Sequence, residues 1–230
     1  MFLLAAIAYG ISIFIDVAVY HLKYHIHDIK NLRYLFSLIN IFQYSARAFV
    51  LIFVPIMAYY TETVKDPFLV WQITVLAHFF VILLLLFLLS KRFSLFFSIN
   101  IIKLLNRFFG KNKTIDLNVK YNGNNFNLIK SKTFLSKLMF SFNIFISGFM
   151  FSVGITFLYY LSFAYPQKAL TLVSISQIIN MFGSLILILL IDPKIMTSID
   201  HGEGREEIKI LTNSRIFVHI CLIVLLVLIK

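Results

Sequence analysis

One arginine inside a long apolar run is the feature that most restricts what this chain can fold into. The run Tyr34–Tyr60 has 27 residues, and Arg47 lies at its midpoint. A helix needs roughly 20 apolar residues to cross a bilayer, so this run is long enough to span one with some tilt. An arginine at the bilayer centre costs at least about 2.5 kcal/mol. We therefore expect Arg47 to face a polar interior, a partner charge or an anionic ligand.

Two amides accompany this arginine. Asn40, Gln43 and Arg47 are separated by three and four residues, which places all three on one stripe of a helix. The stripe is expected to be in contact with water or with a ligand.

The composition is that of an integral membrane protein. Of 230 residues, 60% are hydrophobic, and the mean hydropathy is +0.89. The formal net charge is +11 although only 13% of residues are charged. In a membrane protein this excess favours cytoplasmic loops held against anionic lipids over binding of nucleic acid. The frequent Phe, Ile, Asn and Lys residues suggest an AT-rich, bacterial genome.

Six membrane spans are expected. The apolar N-terminus lacks a basic segment and a cleavage site, so we interpret it as a retained helix and not as a signal peptide. The last apolar run, Ile216–Ile229, has only 14 residues, so a full sixth span must begin near Ile210 and carry Arg215 into the membrane; a half-span is the alternative. The other five predicted spans are Phe2–Tyr20, Tyr34–Tyr60, Phe68–Ser90, Phe134–Ala164 and Ala169–Ile191, the fifth ended by Asp192-Pro193.

The segment between the third and fourth spans differs from the rest. Lys91–Gly110 has an amphipathic pattern that favours a helix lying on an anionic leaflet over a continuation of the third span. Lys111–Ser131 alternates apolar and polar residues around Asn122-Gly123, which predicts a small hairpin. The predicted organisation is a three-span half at 1–90, a cytoplasmic segment at 91–133 and a second three-span half at 134–230.

The two halves are predicted to be inverted repeats. Asn40-Ile41-Phe42 in the second span aligns with Asn180-Met181-Phe182 in the fifth, and an odd number of spans in each half inverts the repeat. Most Lys and Arg residues lie in the first, third and fifth loops, which places these loops in the cytoplasm and both termini outside.

Depth along the helices suggests how the charges are distributed. Asp16 and Arg215 lie at similar distances from the cytoplasmic ends of their spans, whereas Arg47 is deeper. We therefore expect Asp16 to pair with Arg215 and to leave Arg47 as an anion receptor, since guanidinium binds phosphate oxygens in a two-pronged manner. The alternative is a structural Arg47 bonded to backbone carbonyls and to Gln177 or Asn180, which share one face of the fifth span.

No catalytic or metal-binding signature is present. The chain has no HExxH, GxSxG or P-loop motif and no Cys/His metal spacing, and Cys221 is its single cysteine. We therefore expect a non-enzymatic protein with no cofactor and no metal. His21, His25 and His27 are expected to lie in a basic interfacial loop, and Glu206-Glu207 is expected to be solvated. His78 and His219 are expected to be lone intramembrane residues with a packing role, and a proton relay is the alternative.

Two blocks of the chain resemble the alternate lipid II flippase (Amj) family. One is SLINIFQYSARAF (Ser37–Phe49), preceded by a basic loop; the other extends from NMFGSLILILLIDPK (Asn180–Lys194) to NSRIFVHICLIVLL (Asn213–Leu226). Asp192-Pro193-Lys194 and Ser214-Arg215 are similar to the family pattern, whereas Ala46 separates Ser45 from Arg47 where the family has an adjacent pair.

The resemblance implies a flippase that moves undecaprenyl-pyrophosphate-linked peptidoglycan precursor across the bacterial cytoplasmic membrane. On this hypothesis Arg47 and Arg215 contact the pyrophosphate, and the amides contact sugar hydroxyls or line the path, with Ser45 as a further candidate. Three rivals stay open: a flippase for another lipid-linked oligosaccharide, a small-molecule or ion-coupled transporter, and a non-transporting scaffold. The candidate substrate-binding residues are Arg47, Arg215, Asn40, Gln43, Ser45, Gln177 and Asn180.

Overall fold

The computed structural model describes residues 1–25, 32–109, 134–201 and 204–229. The helices in this part of the chain are α1 (Phe2–His25), α2 (Leu32–Tyr59), α3 (Pro67–Leu89), α4 (Lys91–Phe109), α5 (Phe134–Ala164), α6 (Ala169–Ile186), α7 (Asp192–Asp200) and α8 (Arg205–Ile229). A π-helical turn, Tyr60–Val64, extends α2; another, Leu187–Ile191, joins α6 to α7; and a 3-10 turn, Pro166–Lys168, precedes α6.

The predicted fold class is confirmed: this is an all-α, multi-pass membrane protein. Six helical segments in the described part are long and apolar enough to cross a membrane. Large apolar side chains cover the outside of the bundle; Leu51, for example, is 73% exposed. A water-soluble protein exposes few contiguous surfaces of this kind, whereas lipid tails solvate them.

The first helix is longer than the sequence predicts. α1 continues through His21 to His25, so these two histidines are not in an interfacial loop. His21 is buried, and its ring nitrogens hydrogen-bond the hydroxyls of Ser94 and Thr212 at 2.8 and 3.0 Å. These bonds hold the last turn of α1 between α4 and α8. His27 lies outside the described residues.

The predicted end of the fifth span at Asp192-Pro193 is wrong, because the helix continues to Asp200. A proline deprives the carbonyl four residues earlier of its donor and clashes with it in a regular helix. Here a π-helical turn directly precedes Pro193, and the Asp192 N–H bonds the Leu187 carbonyl. This wider turn accommodates the proline. α8 likewise begins at Arg205, five residues before the predicted Ile210.

The fourth helix is a separate element and not a continuation of the third span. Ser90 has extended backbone angles, φ −72° and ψ 116°, which break the helix between α3 and α4. α4 packs on the bundle through Ser94, Ser98 and Ile102, while Leu104 and Phe108 are exposed. The predicted leaflet contact of this helix stays a prediction, and the predicted hairpin at Lys111–Ser131 lies outside the described residues.

The buried apolar residues of both predicted halves form one continuous core. α1 packs on α2 and α3, α5 packs on α6 and α8, and contacts between α3 and α8 join the two groups. α5 and α6 are tied by reciprocal hydrogen bonds: Ser147 Oγ donates to the Gly183 carbonyl at 2.8 Å, and Ser176 Oγ donates to the Gly154 carbonyl. Small residues allow this close approach of two helices. The inverted repeat itself stays a prediction.

Candidate functional site

A cavity of about 810 Å³ with a partly polar lining lies between α1, α2, α5, α6 and α8. Exposed residues of α2 and α6, including Tyr44 and Met181, line it together with buried Arg215. The cavity therefore extends from the interior of the bundle to its outer surface between α2 and α6. Its polar lining consists of Ser12, Asp16, Tyr20, Asn40, Gln43, Tyr44, Arg47, Gln177, Asn180, Ser184 and Arg215.

The structure thus brings together six of the seven predicted substrate-binding residues. Asn40, Gln43 and Arg47 reach the cavity from α2, Gln177 and Asn180 reach it from α6, and Arg215 reaches it from α8. Periodicity along α2 and α6 turns both polar stripes toward the same space.

Ser45 is the exception. It is not among the residues that line the cavity. Its hydroxyl donates to the Phe42 carbonyl of its own helix at 2.6 Å. This local bond satisfies the hydroxyl within α2, so the structure gives no support to Ser45 as a substrate-binding residue.

Arg215 is buried because α5 has no side chain at the facing position. The arginine is 7% exposed. A Cβ on Gly148 would lie 2.6 Å from Arg215 Nη1 and 3.1 Å from its Cδ. Only a glycine leaves this space for the guanidinium. Arg215 Nε is buried and has no hydrogen-bond partner among the described residues, so the group has unused donor capacity.

The pairing of Asp16 with Arg215 stays a prediction. Asp16 lines the same cavity as Arg215 and Arg47, but within the described ranges no ion pair joins it to either arginine. Both arginines therefore face one space with a carboxylate at its edge, an arrangement that attracts an anion.

A second cavity continues the first toward the other end of the bundle. It has a volume of about 890 Å³ and shares Val50, Ile155, Gln177 and Asn180 with the first. Its far end is lined by Glu62 and Lys65. From Asn40 to Lys65 the two cavities follow about 37 Å of helix rise, slightly more than the roughly 30 Å of a bilayer core. We call these two adjoining cavities together the α2–α6 groove.

Two histidines expected to be lone residues form a pair. His78 Nδ1 and His219 Nδ1 are 2.9 Å apart, and both side chains are fully buried. The face-to-face position of α3 and α8 was not readable from either helix alone. Glu207 was expected to be solvated but is 3% exposed, since α8 begins earlier than predicted and turns this residue inward. Glu206 pairs with Lys137 at 2.6 Å.

Among the residues that the structure describes, no three His, Cys, Asp or Glu side chains are placed to hold a metal ion together. The chemistry of the cavity is that of guanidinium groups, amides and hydroxyls. Such groups bind anions and sugar hydroxyls by hydrogen bonding.

No protein-family model, no curated protein and no solved structure matches this chain.

Proposed function

We propose that this protein is a flippase for a polyprenyl-pyrophosphate-linked glycan, with the peptidoglycan precursor lipid II as its substrate. The observation that carries the proposal is the placement of Arg47 and Arg215 in one cavity that opens between α2 and α6. The resemblance of two blocks of the chain to the alternate lipid II flippase family suggests which lipid-linked glycan is moved.

The charges of the cavity suit a pyrophosphate. Two guanidinium groups and the Asp16 carboxylate leave one net positive charge in the lining. Neither arginine has an ion-pair partner among the described residues, so an incoming anion displaces no existing partner. Guanidinium groups contact phosphate oxygens in pairs, and charge-assisted hydrogen bonds of this kind are about twice as strong as neutral ones.

The neutral lining suits a sugar. Asn40, Gln43 and Gln177 offer amide donors and acceptors beside the arginines. Asn180 lines both cavities, although its Oδ1 is buried beside Gly154 of α5. Amides and hydroxyls at this position provide alternative partners for a glycan that leaves water.

The α2–α6 groove suits a lipid-linked substrate. Apolar residues form its outer edges, among them Leu51 and Ile188, which are 73% and 61% exposed. A polyprenyl tail remains in the bilayer beside these edges while the head group moves along the polar interior. The substrate therefore needs no enclosed channel large enough for its tail.

The direction of the groove follows from the proposed orientation of the chain. With the basic loops in the cytoplasm, the arginine-lined cavity lies nearer the cytoplasmic side, and Glu62 and Lys65 lie at the outer end. Basic cytoplasmic segments attract the anionic head group and anionic membrane lipids. The membrane in this proposal is the bacterial cytoplasmic membrane, with both termini outside.

Complementation tests the proposal. Cells depleted of their own lipid II flippases receive the parent chain, Arg47→Ala, Arg47→Lys or Arg92→Ala, and blotting verifies that each protein reaches the membrane. Arg92 is an exposed arginine of α4 outside the cavity, so Arg92→Ala is the matched control. We expect growth with the parent and the control only, since lysine offers one point charge where arginine offers a fork.

Two results would contradict the proposal in different ways. Growth with Arg47→Ala equal to that of the parent removes Arg47 from the mechanism. No growth with a well-expressed parent excludes lipid II as the substrate, and the same variants are then compared for export of another lipid-linked oligosaccharide. A chain that supports neither process and tolerates alanine at Arg47 is a scaffold.

A further inference from the structure

The buried His78–His219 pair lies next to the arginine-lined cavity. His219 is four residues after Arg215 on α8, so both side chains lie on the same face of this helix, one turn apart. Both histidines are fully buried, and neither lines the cavity. Arg215 therefore separates the pair from the proposed pyrophosphate position.

The hydrogen bonds around the pair determine where its protons lie. The Thr156 hydroxyl donates to the Ser152 carbonyl at 2.7 Å, so its oxygen is left to accept from His78 Nε2 at 3.4 Å. A neutral His78 protonated at Nε2 has a bare Nδ1. This Nδ1 accepts a hydrogen bond from His219 Nδ1–H at 2.9 Å. In the neutral pair, His219 Nε2 is then the bare nitrogen.

That nitrogen is an unused acceptor. His219 Nε2 is buried and has no hydrogen-bond partner among the described residues. A proton added there leaves the Nδ1–Nδ1 bond and the bond to Thr156 intact. A second proton, on His78 Nδ1, would break the bond between the rings. The pair is therefore built to take up one proton at a single atom.

The neighbouring titratable and charged groups come from two elements. On α1, the Tyr9 ring packs edge-on against both imidazoles, at centroid distances of 5.7 and 6.3 Å, and Asp16 lies farther along the same helix at the cavity. On α8, the charged neighbour is Arg215. α5 contributes only the hydroxyls of Ser152 and Thr156. Arg215 is thus the cation closest along the chain to His219, and repulsion between the two is relieved when an anion neutralises Arg215.

We propose that His219 Nε2 is a proton-binding site linked to the anion site at Arg215, so that binding of a pyrophosphate diester takes up one proton. The cavity has one net positive charge from Arg47, Arg215 and Asp16. A proton on His219 adds a second, which balances the doubly charged pyrophosphate diester. A loaded site without net charge is the least costly one to hold inside a membrane. This inference rests on the proposed function for the identity of the anion.

The linkage is reciprocal. If the anion favours the proton, the proton favours the anion by the same factor, and coupling between two sites of one protein is typically about 5- to 150-fold. Loss of the His219 proton site is therefore expected to weaken anion binding about tenfold.

His219→Asn is the variant that isolates the proton site. An asparagine amide overlaps the Nδ1 position of histidine, so it retains the donor to His78 and removes the Nε2 acceptor. The matched control is His201→Asn, because His201 is exposed at the end of α7 and distant in sequence from the pair. Thermal unfolding of each purified variant verifies that it is folded.

The first experiment measures proton uptake on binding. The full chain in detergent micelles is titrated calorimetrically with a short-chain polyprenyl pyrophosphate N-acetylglucosamine, in two buffers of different ionisation enthalpy. This probe is a pyrophosphate diester and takes up no proton near neutral pH. We expect about one proton per bound probe for the parent and His201→Asn, and about none, with about tenfold weaker binding, for His219→Asn. Binding by the parent without proton uptake, or equal uptake by His219→Asn, overturns the inference and leaves the flippase proposal standing.

The second experiment is independent of any substrate. Nitrogen-15 NMR of histidine-labelled full chain in micelles compares the parent with Arg215→Gln across pH 5 to 8. The glutamine removes the positive charge of Arg215 and so imitates the effect of a bound anion, which neutralises that charge. We expect the His219 signals to reach the imidazolium form at higher pH in Arg215→Gln than in the parent. Identical titrations refute the linkage even if the parent fails to bind the probe, a failure that would count against the proposed function instead.

Discussion

Adding one methyl group at Gly148 is expected to impair transport because it displaces the Arg215 guanidinium, although it removes no charge. In Gly148→Ala the new Cβ lies 2.6 Å from Arg215 Nη1 and 3.2 Å from Cζ, whereas ordinary van der Waals contact begins at 3.4 Å. The guanidinium must therefore move by about 0.8 Å, the difference between 2.6 and 3.4 Å. A misplacement of about 1 Å can cost roughly 100-fold in rate. We expect translocation to fall between about tenfold and 100-fold, with a loss of stability of about 1–3 kcal/mol from overpacking.

Gly10→Ala is the matched control for this variant. Its Cβ would lie 2.9 Å from Phe80 Cβ at the contact between α1 and α3, so it overpacks the bundle without touching an arginine. We expect a similar loss of stability in Gly10→Ala and little loss of translocation per folded molecule. The assay is translocation of a fluorescent polyprenyl-pyrophosphate-linked sugar in proteoliposomes, with thermal unfolding of each variant in parallel.

A double-mutant cycle decides whether Gly148 acts through Arg215. If it does, Gly148→Ala has no further effect in an Arg215→Ala background, because the displaced group is already absent. Equal effects of Gly148→Ala in both backgrounds, or parent-like translocation by the single variant, would refute the argument.

Three further variants probe other parts of the structure. Ser94→Ala removes the hydroxyl that His21 and His25 contact at 2.8 and 3.1 Å. We expect thermal unfolding to show a loss of about 1–3 kcal/mol in the free energy of unfolding. Ser98→Ala loses only a hydrogen bond to the Ser94 carbonyl of its own helix, so its stability should change less. Asp192→Asn breaks the 3.5 Å ion pair with Lys23. Because the Asp192 carboxylate is 37% exposed, the free energy of unfolding should fall by no more than about 1 kcal/mol. A larger loss in urea unfolding would contradict this expectation. Val50 lines both cavities, whereas Ala5 is fully buried. In a Cys221→Ser background, Val50→Cys should therefore react with a water-soluble thiol reagent far faster than Ala5→Cys. Equal rates would contradict a water-accessible groove.

The sequence was sufficient for the number of spans and for most of the residues that line the cavity. Apolar length and helical periodicity determine both, so the segment Phe134–Ala164 has its predicted bounds, and Asn40, Gln43 and Arg47 share a cavity. These are local properties of one helix, and they need no knowledge of its neighbours.

Errors arose where a neighbouring helix decides the outcome. The pairing of His78 with His219 depends on how α3 meets α8. A signal was present: His78 follows Asn40 by 38 residues, and His219 follows Asn180 by 39, which are nearly equivalent places in the two predicted halves. The predicted helix end at Pro193 was wrong for a local reason. The π-helical turn that accommodates this proline leaves no recognisable pattern in apolar sequence.

The reciprocal serine–glycine bonds between α5 and α6 have a mechanical consequence. Two hydrogen bonds, Ser147 to Gly183 and Ser176 to Gly154, join these helices into one wall of the groove. The opposite wall of the groove, α2, contains Pro55 and ends in a π-helical turn, both of which weaken the regular hydrogen-bond ladder of a helix. The α6 wall passes into a similar π-helical turn, Leu187–Ile191, before Pro193. Because the two hydrogen bonds join α5 to α6, widening of the groove is expected to separate α2 from the α5–α6 pair and not α5 from α6.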